Sequence, residues 1–166
     1  TSLLFSIFQL FVSQEKLQKS SINEYYYKDV IRFFKHQSIY GLISNIDNFT
    51  AEIAKENQTF ISEKLLEKFL ENQTLEVKRV ILNLFKTFDS VSNFIERILD
   101  LINLLKEDVN DLEKEYLFRF YTVFTQLKTL QNEFEYFTDL KTLSLFFRQL
   151  IGSESLSFQG EPLKGL

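Results

Sequence analysis

The sequence predicts an all-α protein, a multi-helix bundle of about seven helices with a short extended C-terminal segment. Three observations predict it. Apolar residues recur at three- and four-residue spacings through most of the chain, which is the period of one helix face. No stretch shows the sustained alternation of a half-buried strand, and only Ser155 to Phe158 invites one. Helix breakers are scarce: 166 residues hold 4 Gly and 1 Pro, with Gly160, Pro162 and Gly165 gathered in the tail LSFQGEPLKGL.

A chain of this length supports one domain with a sizeable core, so residues 1–166 read as a single helical domain. The core must come from Phe, Leu and Ile, since 19 Phe and 7 Tyr stand against no Trp, Met or Cys. Without cysteine there is neither a disulfide framework nor a thiolate metal site, and the expected compartment is the cytoplasm. The chain begins at Thr1 and contains no Met, which suggests a piece excised from a larger protein. Its opening TSLLFSIFQLFV is apolar, but it lacks a basic region before it and is too short to span a bilayer, so no membrane partner is expected. A formal charge of −4 and a pI near 5.2 argue against a whole-surface nucleic-acid binder and leave room only for local basic patches. The sequons at Asn48, Asn57 and Asn72 read as chance in a chain without cysteine.

The first helix follows from Leu3, Leu4, Ile7, Phe8 and Phe11 on one face. Gln14 to Asn23 is a polar connection, and Asn23 is placed to cap a second helix from Glu24 to Lys35, with Tyr26, Val30, Phe33 and Phe34 inward. Ser38 to Leu42 makes a short turn or helix ending at Gly41. Ile46 to Asn57 is a modest helix started by Asp47, with Phe49, Ile53 and Ala54 inward. Phe60 to Leu70 follows, with Ile61, Leu65, Leu66 and Phe69 on one side. Thr74 then caps a helix carrying Val77, Val80, Ile81, Leu84 and Phe85.

Asp89-Ser90 marks the next boundary, after which Val91, Phe94, Ile98, Leu101 and Leu105 fall at heptad-like steps. The longest helix is expected from Asp111 to Phe137. Its stripe of Tyr116, Phe120, Val123, Leu127, Leu130, Phe134 and Phe137 reads as packed along its whole length. Asp139 caps a last helix to Leu150, and Gly152 is placed to end it.

Enzymatic constellations are scarce, and the chain carries no assigned catalytic, cofactor-binding or metal-binding residue. His36 is the single histidine, with no Cys or second His to share a metal, and reads as a surface or helix-terminal residue. Glu76-Val77-Lys78 matches the E-x-K part of a nuclease pattern, but it lies at the start of an amphipathic helix rather than on strands. The acids Glu107, Asp108, Asp111, Glu113 and Glu115 read as a solvated helix junction, favourable near the next helix's amino end. The candidate binding surface is Lys28, Arg32, Lys35 and His36, spaced four, three and one on one helical face beside Tyr25-Tyr26-Tyr27. Cations with neighbouring aromatics suit a nucleic-acid backbone and unpaired bases. An ordinary charged face over an aromatic core accounts for the same residues.

Two segments bear a resemblance. The tail SFQGEPLKGL resembles the sequence that leads into the strand equivalent to helicase motif V in AddB-type subunits of bacterial helicase–nucleases, relatives of superfamily 1 DNA helicases. YYYKDVIRFFKHQSIYGL resembles another stretch of the same proteins, and together the two cover about a sixth of the chain. The resemblance implies a helical accessory subdomain of the 2B type, inserted ahead of motif V. It also implies a parent protein that processes DNA ends in recombination and repair, with a helicase-like region, a PD-(D/E)XK exonuclease domain and a partner subunit. The Walker motif, the Mg²⁺-binding acids and the nuclease carboxylates would all lie outside residues 1–166. On this reading Lys28, Arg32 and Lys35 contact phosphates. The alternative is a helical protein-interaction module unrelated to DNA, using an exposed part of the Tyr116 to Phe137 stripe. A free-standing bundle enzyme lacks a plausible site.

Overall fold

The amino-terminal helix α1 (Leu3–Leu17) is the element on which the rest assembles. Leu3, Leu4, Ile7, Phe8, Leu10 and Phe11 are all buried, so apolar residues cover more than one face and the helix is enclosed by neighbours. The computed structural model describes residues 3–17, 23–86 and 90–164, with side chains of the last segment described to residue 152. After α1 come β1 (Glu24–Tyr26), α2 (Tyr27–Lys35), α3 (Gln37–Tyr40), α4 (Ile46–Lys55), β2 (Phe60–Ser62), α5 (Glu63–Leu70) and α6 (Leu75–Phe85). α7 (Val91–Leu105), a 3-10 turn (Lys106–Asp108), α8 (Asp111–Phe134) and α9 (Leu140–Lys164) complete the order. The chain is an all-α bundle, with nine helices among the described residues.

Two rings of α1 tie the bundle together. Phe8 meets Phe94 of α7, Phe124 of α8 and Phe147 of α9, with ring centroids 5.7, 6.1 and 5.2 Å away. Phe11 meets Tyr25, Phe85 and Phe94 at 5.6, 5.8 and 5.6 Å. Stacked, tilted and edge-on pairs of this kind contribute about 0.5–1.5 kcal/mol each beyond the area they bury.

The expected helices from Glu24 and from Phe60 each begin three residues late. Those residues instead form an antiparallel pair, with Tyr25 opposite Ile61 and Tyr26 opposite Phe60. Tyr, Phe and Ile suit a pleated surface, and three residues are too few for alternation to show in the sequence. Asn23 therefore caps nothing. It accepts a hydrogen bond from Gln14 Nε2 at 2.7 Å and donates to the Phe85 carbonyl at 3.0 Å. α2 starts at Tyr27, and its N-cap residue Tyr26 makes no side-chain cap bond.

Two other caps stand where expected, Thr74 Oγ1 accepting from Val77 N–H and Asp139 Oδ1 from Thr142 N–H, and at the Asp89-Ser90 boundary Ser90 Oγ accepts from Asn93 N–H. Ala54, expected inward, is exposed. α8 stops at Phe134 rather than Phe137 because Glu135 turns left-handed at φ 46°. Gln131 then clamps the exit, donating to the Phe137 carbonyl at 2.9 Å and accepting from the Phe137 N–H at 2.8 Å.

The expected extended C-terminal segment is also corrected, since α9 runs through Gly152 and Ser155–Phe158 to Lys164. A glycine ends a helix by taking positive φ, and no described glycine does so. In the right-handed conformation it costs only about 1 kcal/mol relative to alanine.

Candidate nucleic-acid interface

α2 is nine residues long and sharply two-sided. Val30, Phe33 and Phe34 are buried, while Lys28, Arg32 and Lys35 are exposed. The spacing of four and three brings these cations onto one face. Their environments differ. Arg32 Nη1 lies 3.2 Å from Asp29 Oδ1, and its side chain keeps 52% exposure while that of Asp29 is almost fully covered. Burial pushes the Asp29 carboxyl above its ordinary value, and Arg32 and Ser13 oppose that rise. Part of the guanidinium is thus committed within the fold. Lys28 Nζ sits 5.9 Å from the Tyr27 ring centroid, and Lys35 stands exposed in the last turn.

The neighbouring tyrosines are less available than their sequence run suggests. Tyr25 is buried, and its hydroxyl donates to the Phe85 carbonyl, the same oxygen that Asn23 reaches. That burial raises the phenol's pKa. Tyr26 and Tyr27 are half-buried and meet edge to face, 5.1 Å between centroids. His36 belongs to the scaffold: its Nδ1 accepts from the Ser38 N–H at 3.2 Å and caps α3. An accepting ring nitrogen carries no proton, so this contact fixes the orientation of the imidazole.

The remaining motifs take structural places. Glu76 is exposed in the first turn of α6. Asp111 and Glu113 occupy the first turn of α8, whose N-cap Asn110 accepts from the Glu113 N–H at 2.9 Å. Glu115 pairs with Arg119 at 3.6 Å, and the side chain of Asp108 lies outside the described residues. Among the described residues no group of three or more His, Cys, Asp or Glu could hold a metal ion, and no helix is long and apolar enough to cross a membrane.

Two cavities beside α8 escaped the sequence reading. One, of about 280 Å³, is floored by Leu4, Leu101, Leu105 and Phe120, with His36, Glu113 and Tyr116 among its lining. The other is a groove of about 570 Å³ between the end of α7 and the first half of α8, lined by Ile102, Asn103, Lys106, Lys114, Phe118 and Tyr121, with Glu107 and Leu117. Its signal in the sequence is Phe118 and Tyr121, which fall off the Tyr116–Phe120–Val123 stripe and so stand on another side of the helix. Comparison of the chain with protein-family models, with curated proteins and with solved structures finds no match.

Proposed function

We propose that this chain is a non-catalytic helical accessory domain, of the 2B type, from a helicase-like exonuclease subunit that acts in DNA end processing, recombination and repair. The observation that carries the reading is the exposed cationic face of α2, where Lys28, Arg32 and Lys35 are held at one-turn spacings over a buried aromatic base. The resemblance of the α2 region and of the tail to AddB-type subunits supports the same reading. The domain's part is to shape a DNA channel and to meet a partner subunit, with three cations positioned on phosphates. ATP and metal chemistry belong to other parts of the parent protein.

The test is fluorescence anisotropy of a labelled forked duplex with the wild-type chain and the K28A/R32A/K35A variant. Loss of three phosphate contacts lowers affinity whatever the base sequence and flattens the log–log salt dependence by about two to three units. Because R32A strands the buried Asp29, the K28A/K35A double variant keeps that pair intact and is expected to lose about two units. Unchanged affinity and salt slope in both variants overturn the assignment. A second reading, a protein-interaction module unrelated to DNA, draws on the ends of α8, where Tyr116 and Phe134 are 53% and 68% exposed. Its signature is self-association, or capture of a partner protein, that Y116S/F134S abolishes with no affinity for DNA.

A further inference from the structure

The geometry points to a second nucleic-acid contact: the groove between α7 and α8 takes an unpaired nucleotide of a single strand, stacked on Phe118 and Tyr121. This extends the DNA-contact reading and places the single strand on a surface separate from the cationic face of α2. Phe118 is 70% exposed and Tyr121 37% exposed, on the side of α8 turned away from the buried Val123 and Leu127. Packing within the bundle gives Phe118 no reason to be aromatic. Lys114 lies one turn before it and Lys106 faces it from the end of α7.

The two lysines have no ion-pair partner among the described residues, whereas on the rest of α8 Arg119 is paired with Glu115 and Lys128 with Glu96. Glu107 is the single acid in the lining against Lys106 and Lys114, while Asp111, Glu113 and Glu115 stand outside it on the first turns of α8. Asn103 adds a side-chain amide able both to donate to and to accept from a base edge. A volume of about 570 Å³ falls in the range of small-ligand clefts and accommodates one nucleotide. Exposed rings with two ammonium groups in the same lining match a stacking platform with phosphate contacts at its rim. Interface cores between proteins, by contrast, are depleted of lysine. A duplex keeps its bases paired and offers no face to these rings, so the groove selects single strands.

The experiment titrates a fluorescein-labelled oligothymidylate, and separately a blunt hairpin duplex, into the wild-type chain, F118A/Y121A, K106A/K114A and K28A/K35A at low salt. Removing the rings is expected to weaken oligothymidylate binding about tenfold or more while leaving the duplex unaffected. Removing the lysines lowers oligothymidylate affinity and flattens its salt slope by about 1.4 units, at about 0.7 per single-strand phosphate contact. The K28A/K35A variant reports on the α2 face alone, since its expected loss is of duplex binding. Undiminished oligothymidylate affinity in F118A/Y121A, with an unchanged urea midpoint, overturns the inference whatever the duplex result. If the wild-type chain ignores oligothymidylate but sediments as a dimer that F118A/Y121A dissolves, the groove is a protein interface and the inference fails.

Discussion

α7 buries nine of its 15 residues, whereas α8, with a comparable apolar stripe, buries only Val123, Phe124, Leu127 and Gln131 of its 24. The difference lies in what surrounds them. α7 lies between α6 and α8, and the rings of α1 reach its Phe94, so neighbours approach it from several sides. α8 meets the body along one side only, through Leu117, Phe120, Phe124 and Leu130, with Phe124 packed on Phe8 and Phe147. Its ends overhang, leaving Tyr116 and Phe134 exposed although both continue the stripe. Periodicity specifies which side of a helix would be buried, and burial itself depends on a neighbour long enough to cover that side.

The widest split between the two helices is expected from truncating an apolar ring in each. F94A leaves a cavity among Phe8 and Phe11 and should cost about 3–5 kcal/mol in urea unfolding, while F134S on α8 should stay within about 0.5 kcal/mol. Comparable losses in both would mean that the ends of α8 are covered in solution. Next in size is Q131A, the polar exception in the buried set of α8. It strands the buried N–H and C=O of Phe137 and should cost about 2–3 kcal/mol, and a loss near zero would remove the clamp's role in ending the helix.

The smallest effect concerns pH. The folded-state pKa of Asp29 is raised above its ordinary 3.8, so its carboxyl binds a proton more tightly in the fold than in the unfolded chain. The resulting stabilisation is present below that ordinary value and is lost as pH rises through the raised one. D29N holds the side chain neutral throughout. The stability of wild type minus that of D29N should therefore fall as pH climbs through this window and be level above it, as read from urea midpoints across pH. A difference that rises over the same window would reverse the assigned shift.

Features set by one or two adjacent residues were legible before the structure. Thr74 and Asp139 each cap a helix because a short acceptor before an amphipathic run has one nearby use. Asn23 offered the same local signal and did something else, because its partners are Gln14, Phe85 and Glu63, drawn from three other elements. Lys28, Arg32 and Lys35 were legible as one exposed face from spacing alone. The burial of Tyr25 beside them was not, since it depends on a carbonyl 60 residues away. Nor was the burial of Asp29, whose charged neighbours make it read as another surface acid. The α7–α8 groove had a faint trace in Phe118, an aromatic out of step with its stripe, but its other wall, Ile102, Asn103 and Lys106, comes from the end of α7.

The carboxylate of Glu15 accepts the backbone N–H of Leu140 at 3.1 Å, a bond between residues 125 apart in the chain. Since Phe8 also lies against Phe147, α1 can reach its final surroundings only after α9 has been made. At translation rates of about 5–20 residues per second, that interval is roughly 6–25 s. During it, α1 can rest against the β1–α2 region, its early neighbour, while the side that will receive Phe147 stays open. The order of synthesis thus makes the enclosure of α1 wait for α9.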